Sequence, residues 1–99
     1  MRKVFKFKAE NKKEARVLEG IKNEIRKYVK REKKKELEDK GNMYWDFDCK
    51  VGESKEDAKE VIYEELLRAV EKVKQREVEE CYVEILSKSV LKPEKGLKE

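Results

Sequence analysis

The feature that most constrains the fold is a strict alternation of apolar and polar residues along the segment 43–51. One set of alternate positions contains Trp45, Phe47, Cys49 and Val51, and the other set is mostly polar. Successive side chains of a β-strand point to opposite faces, so this period of two predicts a strand with one buried and one solvated face. The segments 4–8 and 80–86 also alternate, and they predict two more strands.

Between the strands, apolar residues recur at helical spacing. Asn11 followed by Glu14 fits an N-cap with its capping-box partner, and the first helix is predicted to run from there to about Glu38. Such a helix is about 42 Å long, against about 23 Å for a seven-residue strand, so its second half is expected to overhang the sheet. Ser54 with Asp57 gives a second capping signal and predicts the start of helix two.

These elements predict a single α/β domain over residues 1–88, followed by a flexible charged C-terminal tail over 89–99. The expected fold is a two-layer βαβαβ sandwich, a three-stranded sheet with both helices on one face. The pattern does not determine the strand order. The expected core consists of apolar residues in the inward phase: Phe5, Phe7, Leu18, Ile21, Ile25, Trp45, Phe47, Val61, Ile62, Leu66, Val70, Val83 and Ile85.

Charge is divided unevenly along the chain. Residues 1–40 carry 16 Lys and Arg against 8 Asp and Glu, whereas residues 41–99 carry 11 against 15, so the net charges are +8 and −4. Clustered cations bind phosphates by releasing condensed counterions. The leading hypothesis is therefore a non-enzymatic nucleic-acid-binding domain, for RNA more than DNA. Its phosphate contacts would come from a basic stretch of helix one: Arg26, Lys27, Lys30, Arg31, Lys34 and Lys35.

The same stretch is also typical of a solvated helix face whose charges pair with each other. Glutamates stand three residues before lysines in the pairs Glu19–Lys22, Glu24–Lys27 and Glu32–Lys35. If these pairs neutralise the helix, the alternative is a protein interaction or structural domain, which would bind an acidic protein or associate through a sheet edge. The expected state is a monomer or a weak homodimer.

The open face of the sheet offers a second group of candidates: Tyr44, Asp46, Asp48, Tyr82 and Glu84. Asp46 and Asp48 would lie about 6–7 Å apart on one strand. With Glu84 they could hold Mg²⁺, which makes a divalent-metal-dependent enzyme a further alternative, although cross-strand ion pairs are the commoner role. Tyr44 and Tyr82 could form an aromatic platform for unpaired bases, or simply pack across strands.

Composition excludes several classes of site. The chain has no histidine and only two cysteines, Cys49 and Cys81, so we predict no metal site, no cofactor and a reduced cysteine pair. No apolar run approaches the roughly 20 residues of a membrane span, and we expect a cytoplasmic protein without membrane partners. The Lys/Glu bias is typical of thermostable proteins and of redesigned surfaces.

Three stretches of the chain form a distinctive pattern: residues 14–32, 44–50 and 81–86, of which the most specific part is the Trp-Asp-Phe-Asp-Cys run at 45–49, followed by Gly52. They resemble a small bacterial family of uncharacterised proteins, a domain of unknown function. The resemblance extends to about Lys88 and implies a short cytosolic bacterial protein. It implies no activity and no catalytic residue.

Overall fold

The computed structural model describes residues 1–8 and 13–92. Their elements follow the order βαββαβ, with a 3₁₀ turn at Tyr63–Glu65 before the second helix. The expectation of three strands is wrong, because a short additional strand follows the second one. The elements are β1 (Arg2–Lys6), α1 (Glu14–Lys33), β2 (Met43–Gly52), β3 (Lys59–Val61), α2 (Leu66–Lys74) and β4 (Glu80–Leu91).

The strands form one sheet in the order β1-β4-β2-β3, and every neighbouring pair is antiparallel. The last strand is therefore inserted between the first two. Since β1 and β2 both run antiparallel to β4, they are parallel to each other, and α1 connects them across β4. The register places Cys49 opposite Ile85 and Val51 opposite Val83, which puts the inward phases predicted for β2 and β4 on the same face.

The predicted start of helix two at Ser54 is wrong. The local capping bonds do form: the Ser54 hydroxyl donates to Asp57 Oδ2 at 3.1 Å, and the Asp57 N–H lies 3.4 Å from Ser54 Oγ. The chain nevertheless turns into β3, where Glu60 is paired with Lys50 of β2. Strand pairing with β2 therefore overrides the local helix signal, and α2 begins only at Leu66.

The first helix ends at Lys33 and not near Glu38, and its last turn contacts the sheet through the hydrogen bond between Ser87 and Glu32. The N–H groups of Lys34 and Lys35 close the helix with bonds to the Arg31 and Glu32 carbonyls, both at 3.2 Å. The predicted overhang compares a helix of about 28 residues with a seven-residue strand, whereas β2 and β4 are paired over ten residues, about 33 Å, and the 20-residue α1 is roughly 30 Å long. The proposed N-cap Asn11 lies outside the described residues.

The third predicted strand, residues 80–86, corresponds to β4, which is longer than expected and ends at Leu91. Residues 87–91 are paired with β2, and Leu91 is opposite Met43. The first residues of the segment expected as a tail therefore belong to the sheet. The remainder, residues 93–99, lies outside the described part of the chain.

The buried apolar residues form one cluster made of both helices and one face of the sheet. Most predicted core residues belong to it, but Ile62 is 64% exposed because it follows β3 at the sheet edge. Cys49 and Cys81 are both free and buried. Burial raises their thiol pKa values to about 11 and about 12. The cluster consists of Phe5, Phe7, Ile21, Ile25, Val29, Phe47, Cys49, Val51, Leu66, Val70, Val73, Cys81, Val83 and Ile85.

Ion pairs connect the two helices at the edge of this core. The largely buried Lys22 of α1 contacts Glu71 of α2, and it also lies 3.8 Å from Glu19. Lys74 of α2 contacts Glu14 at the start of α1, at 3.0 Å. The Lys22 and Lys74 contacts both join α1 to α2, between residues far apart in sequence.

We predict that Gly52→Ala destabilises the protein by about 1–3 kcal/mol, as expected for overpacking. A Cβ at Gly52 would lie 2.6 Å from the Ala58 Cα and 2.8 Å from the Asp57 carbonyl oxygen, so backbone would have to move. Urea unfolding of both proteins measures the difference.

Gly20→Ala is the matched control. A Cβ there meets nothing within 4 Å, and the site is exposed in the interior of α1. Alanine should therefore stabilise the protein, by about 0.5–1 kcal/mol. Equal free energies of unfolding for Gly52→Ala and the unmodified protein would contradict the close approach of the 53–58 loop to β2.

Candidate nucleic-acid interface

Between residues 26 and 34, at the end of α1 and its C-cap, every exposed residue is a cation. We call this surface the basic face. It contains five of the six residues predicted as phosphate contacts, and Lys33 joins them. Lys35 does not, because it follows the end of the helix and pairs with Glu32 at 2.9 Å. The members of the basic face, all of them exposed, are Arg26, Lys27, Lys30, Arg31, Lys33 and Lys34.

The acidic residues of α1 are engaged elsewhere. Glu24 pairs with Lys3 of β1, so the expected Glu24–Lys27 pair does not form. The other two expected pairs, Glu19–Lys22 and Glu32–Lys35, do form, but neither involves the basic face. Among residues 1–8 and 13–92, no cation of the basic face makes a salt bridge.

Neutral groups position several of these cations. Arg26 donates a hydrogen bond to the side-chain oxygen of Asn23, at 2.8 Å. The guanidinium of Arg31 lies 5.5 Å from the ring centroid of Tyr28, and the ammonium of Lys33 lies 5.2 Å from that of Tyr63. Contacts of this kind orient a cation while leaving its charge uncompensated.

The helix dipole explains only part of this arrangement. Lys30, Arg31 and Lys33 stand in the last turn of α1, where cations stabilise the carbonyl end of a helix. Arg26 and Lys27 precede that turn, beyond the short range of the effect. The basic face extends from residue 26 to residue 34, about 12 Å along the axis, and so exceeds what helix capping requires.

Buried Glu32 anchors the end of α1 to the sheet. The residue is only 5% exposed, and its carboxylate accepts a hydrogen bond from the Ser87 hydroxyl of β4 at 2.8 Å. Beside it, the Trp45 indole N–H of β2 donates to the Lys35 carbonyl at 3.0 Å. The hydrogen bond from Lys35 and then that from Ser87 hold the pKa of Glu32 below its usual value.

The sheet register separates the two tyrosines of the open face. Tyr44 is opposite Val90, whereas Tyr82 is opposite Gly52. Tyr44 and Gly52 are eight residues apart on β2, about 27 Å at strand spacing. Tyr82 is also buried, and its hydroxyl donates to Glu84 at 2.8 Å. The structure therefore does not form the aromatic platform that the sequence suggested.

The acidic residues of the open face are also occupied separately. Asp46 accepts the backbone N–H of Phe47 at 2.8 Å, and Asp48 pairs with Lys88 at 2.9 Å. Glu84 is opposite Lys50 and lies 3.5 Å from Arg2. Within the described ranges, no group of three or more carboxylates or cysteines is arranged to hold a metal ion. The three carboxylates line one surface hollow together with Lys50, and their partners are separate cations and a backbone N–H.

One family model matches the chain, over residues 1–96, and it is described as Family of unknown function (DUF6172). The chain belongs to this family. Searches of curated proteins and of solved structures found no match. Membership confirms the resemblance to an uncharacterised family, and it transfers no activity to any residue. In the part of the chain that the structure describes, no helix combines the length and apolarity needed to span a bilayer.

We predict that Glu32→Gln destabilises the protein in a pH-dependent way. Because the folded pKa of Glu32 is lowered, its charge stabilises the fold above the ordinary value of 4.5, and this contribution is lost as the pH falls through the folded pKa. The difference in unfolding free energy between the two proteins should therefore be largest above pH 4.5 and shrink in acid. Urea titrations at several pH values measure it.

Glu36→Gln is the control, since the one salt bridge of its exposed side chain among the described residues is with Lys40, at 3.9 Å. It should change the unfolding free energy little at any pH. A constant Glu32→Gln difference across the acidic range would show that the Glu32 charge does not anchor α1.

Proposed function

We propose that this protein binds RNA through the phosphate backbone, using the basic face of α1, and that it has no catalytic activity. The observation that supports this most is the absence of ion pairs on that face among the described residues. An uncompensated cluster of cations gains affinity for a polyanion by counterion release and needs no particular base sequence.

The distribution of charge in the rest of the chain agrees with a single binding surface. Residues 41–99 carry a net charge of −4, so the overall +4 depends on the N-terminal part that contains α1. A polyanion is therefore attracted to α1 and repelled by much of the remaining surface, which also orients the complex.

The proposal also covers the cellular location of the protein, and it leaves the open sheet face out of the binding site. We infer a cytoplasmic bacterial protein and take the Trp45–Cys49 run as the marker of its family. The open sheet face is not part of the proposed site, because its carboxylates would repel phosphates.

We predict salt-sensitive binding of single-stranded RNA. If about five cations contact phosphates, the logarithm of the affinity should fall with the logarithm of salt concentration with a slope of about −3.5. Fluorescence anisotropy with labelled single-stranded RNA, duplex RNA and duplex DNA, at several salt concentrations, gives both affinity and slope.

The double variant Lys30→Glu/Lys34→Glu tests the basic face directly. It should weaken RNA binding at least tenfold at low salt and make the slope shallower by about 1.4, two phosphate contacts being lost. The matched control is Lys55→Glu/Lys72→Glu, two exposed lysines outside α1 and without salt bridges in the described chain. Both variants lower the net charge from +4 to 0, since each Lys→Glu change removes two charges.

The control variant should retain most of the affinity, because it leaves the basic face intact. Equal losses in the two variants would mean that only net charge matters. Binding that is absent even at low salt would refute the proposal and would leave protein partners as the alternative.

A further inference from the structure

A small apolar hollow lies directly beside the basic face. It has a volume of about 200 Å³ and lies between α1 and the start of α2. Ile25 and Val29 of α1 and Leu66 and Leu67 of α2 form its apolar wall, and the ring of Tyr63 completes it. This volume is well below the roughly 300–1,000 Å³ of sites for drug-sized ligands. The hollow therefore suits one flat ring system and not a larger molecule.

Charges of opposite sign border the hollow on its two sides. Arg26 lines it from α1, and Glu64 lines it from the 3₁₀ turn. Lys30 and Lys33 follow Arg26 at i+4 and i+7, so these three cations form one row along the helix. A phosphate chain would be attracted to this row and repelled from the Glu64 side.

The ring of Tyr63, which lines the hollow, is an aromatic surface available to an inserted ring. One neighbour of the tyrosine is Phe47, with ring centroids 5.4 Å apart and planes tilted by 37°, so the tyrosine is supported from the core. The ammonium of Lys33 also lies near this ring, 5.2 Å from its centroid. Lysine has a flexible stem, so an entering ring can displace this ammonium toward an adjacent phosphate.

We propose that the hollow receives one unpaired base of a single-stranded RNA, which stacks on Tyr63 while the flanking phosphates lie on Arg26, Lys30 and Lys33. The inference rests on the proposed function and specifies single-stranded RNA as the ligand. Bases in a duplex are paired and stacked inside the helix, and they cannot enter such a hollow without being unpaired. The protein should therefore prefer single strands to duplexes, and strands with bases to abasic strands of equal charge.

The test compares three labelled probes by anisotropy: an RNA oligonucleotide without secondary structure, an abasic oligonucleotide of the same length, and duplex RNA. The unmodified protein should bind the first most tightly. Tyr63→Leu keeps an apolar side chain against Phe47 but removes the ring, and it should weaken single-strand binding about tenfold, within the roughly 5- to 150-fold range of base stacking. Affinity for the abasic and duplex probes should not change. Tyr63→Phe should bind like the unmodified protein.

If Tyr63→Leu unfolds the protein, it will also lose duplex binding. A second variant tests the hollow in that case. Leu67→Trp fills the hollow while leaving Tyr63 against Phe47, and it should produce the same selective loss. Equal affinity of the unmodified protein for intact and abasic strands would overturn the base-binding inference, with backbone binding still standing. Failure of all three probes to bind would instead refute the proposed function itself.

Discussion

The antiparallel pairing of β2 with β4 is the constraint on which the rest of the structure depends. It joins ten residues of each strand, and it places β4 between β1 and β2. The paired region is about 33 Å long, close to the roughly 30 Å of α1. Ser87 of β4 and Trp45 of β2 then lie beneath the end of the helix, where they bind Glu32 and the Lys35 carbonyl. The position of the basic face thus follows from strand pairing.

The same packing determines the charge of that face. Glu32 is buried against β4 and pairs with Lys35, which is not part of the basic face, and Glu24 is paired with Lys3 of β1, so neither carboxylate neutralises the basic face. A sequence rich in both signs of charge therefore produces a surface of one sign. Ion pairs exposed to solvent contribute little stability, so lysines left unpaired on this surface cost the fold little and remain available to a polyanion.

Much of the sheet could be predicted, because the alternation in β2 and β4 assigns each residue to a face without knowledge of its partner. The strand order, β3 and the start of α2 could not, since they depend on long-range pairing: the Ser54–Asp57 bonds form locally whether a helix or a strand follows. Helical periodicity also located the cations of α1. It could not show that Glu24 reaches Lys3, that Tyr44 and Tyr82 lie far apart, or that Tyr63 borders the basic face.

The most direct test of the central claim is an amide chemical-shift titration of ¹⁵N-labelled protein with a short single-stranded RNA. The account predicts that the largest shifts fall on residues 26–34 of α1 and on residues 63–67 beside them, while the open face of the sheet is unaffected. Large shifts centred on Tyr44, Asp46 and Asp48, or no shifts at saturating RNA, would contradict it.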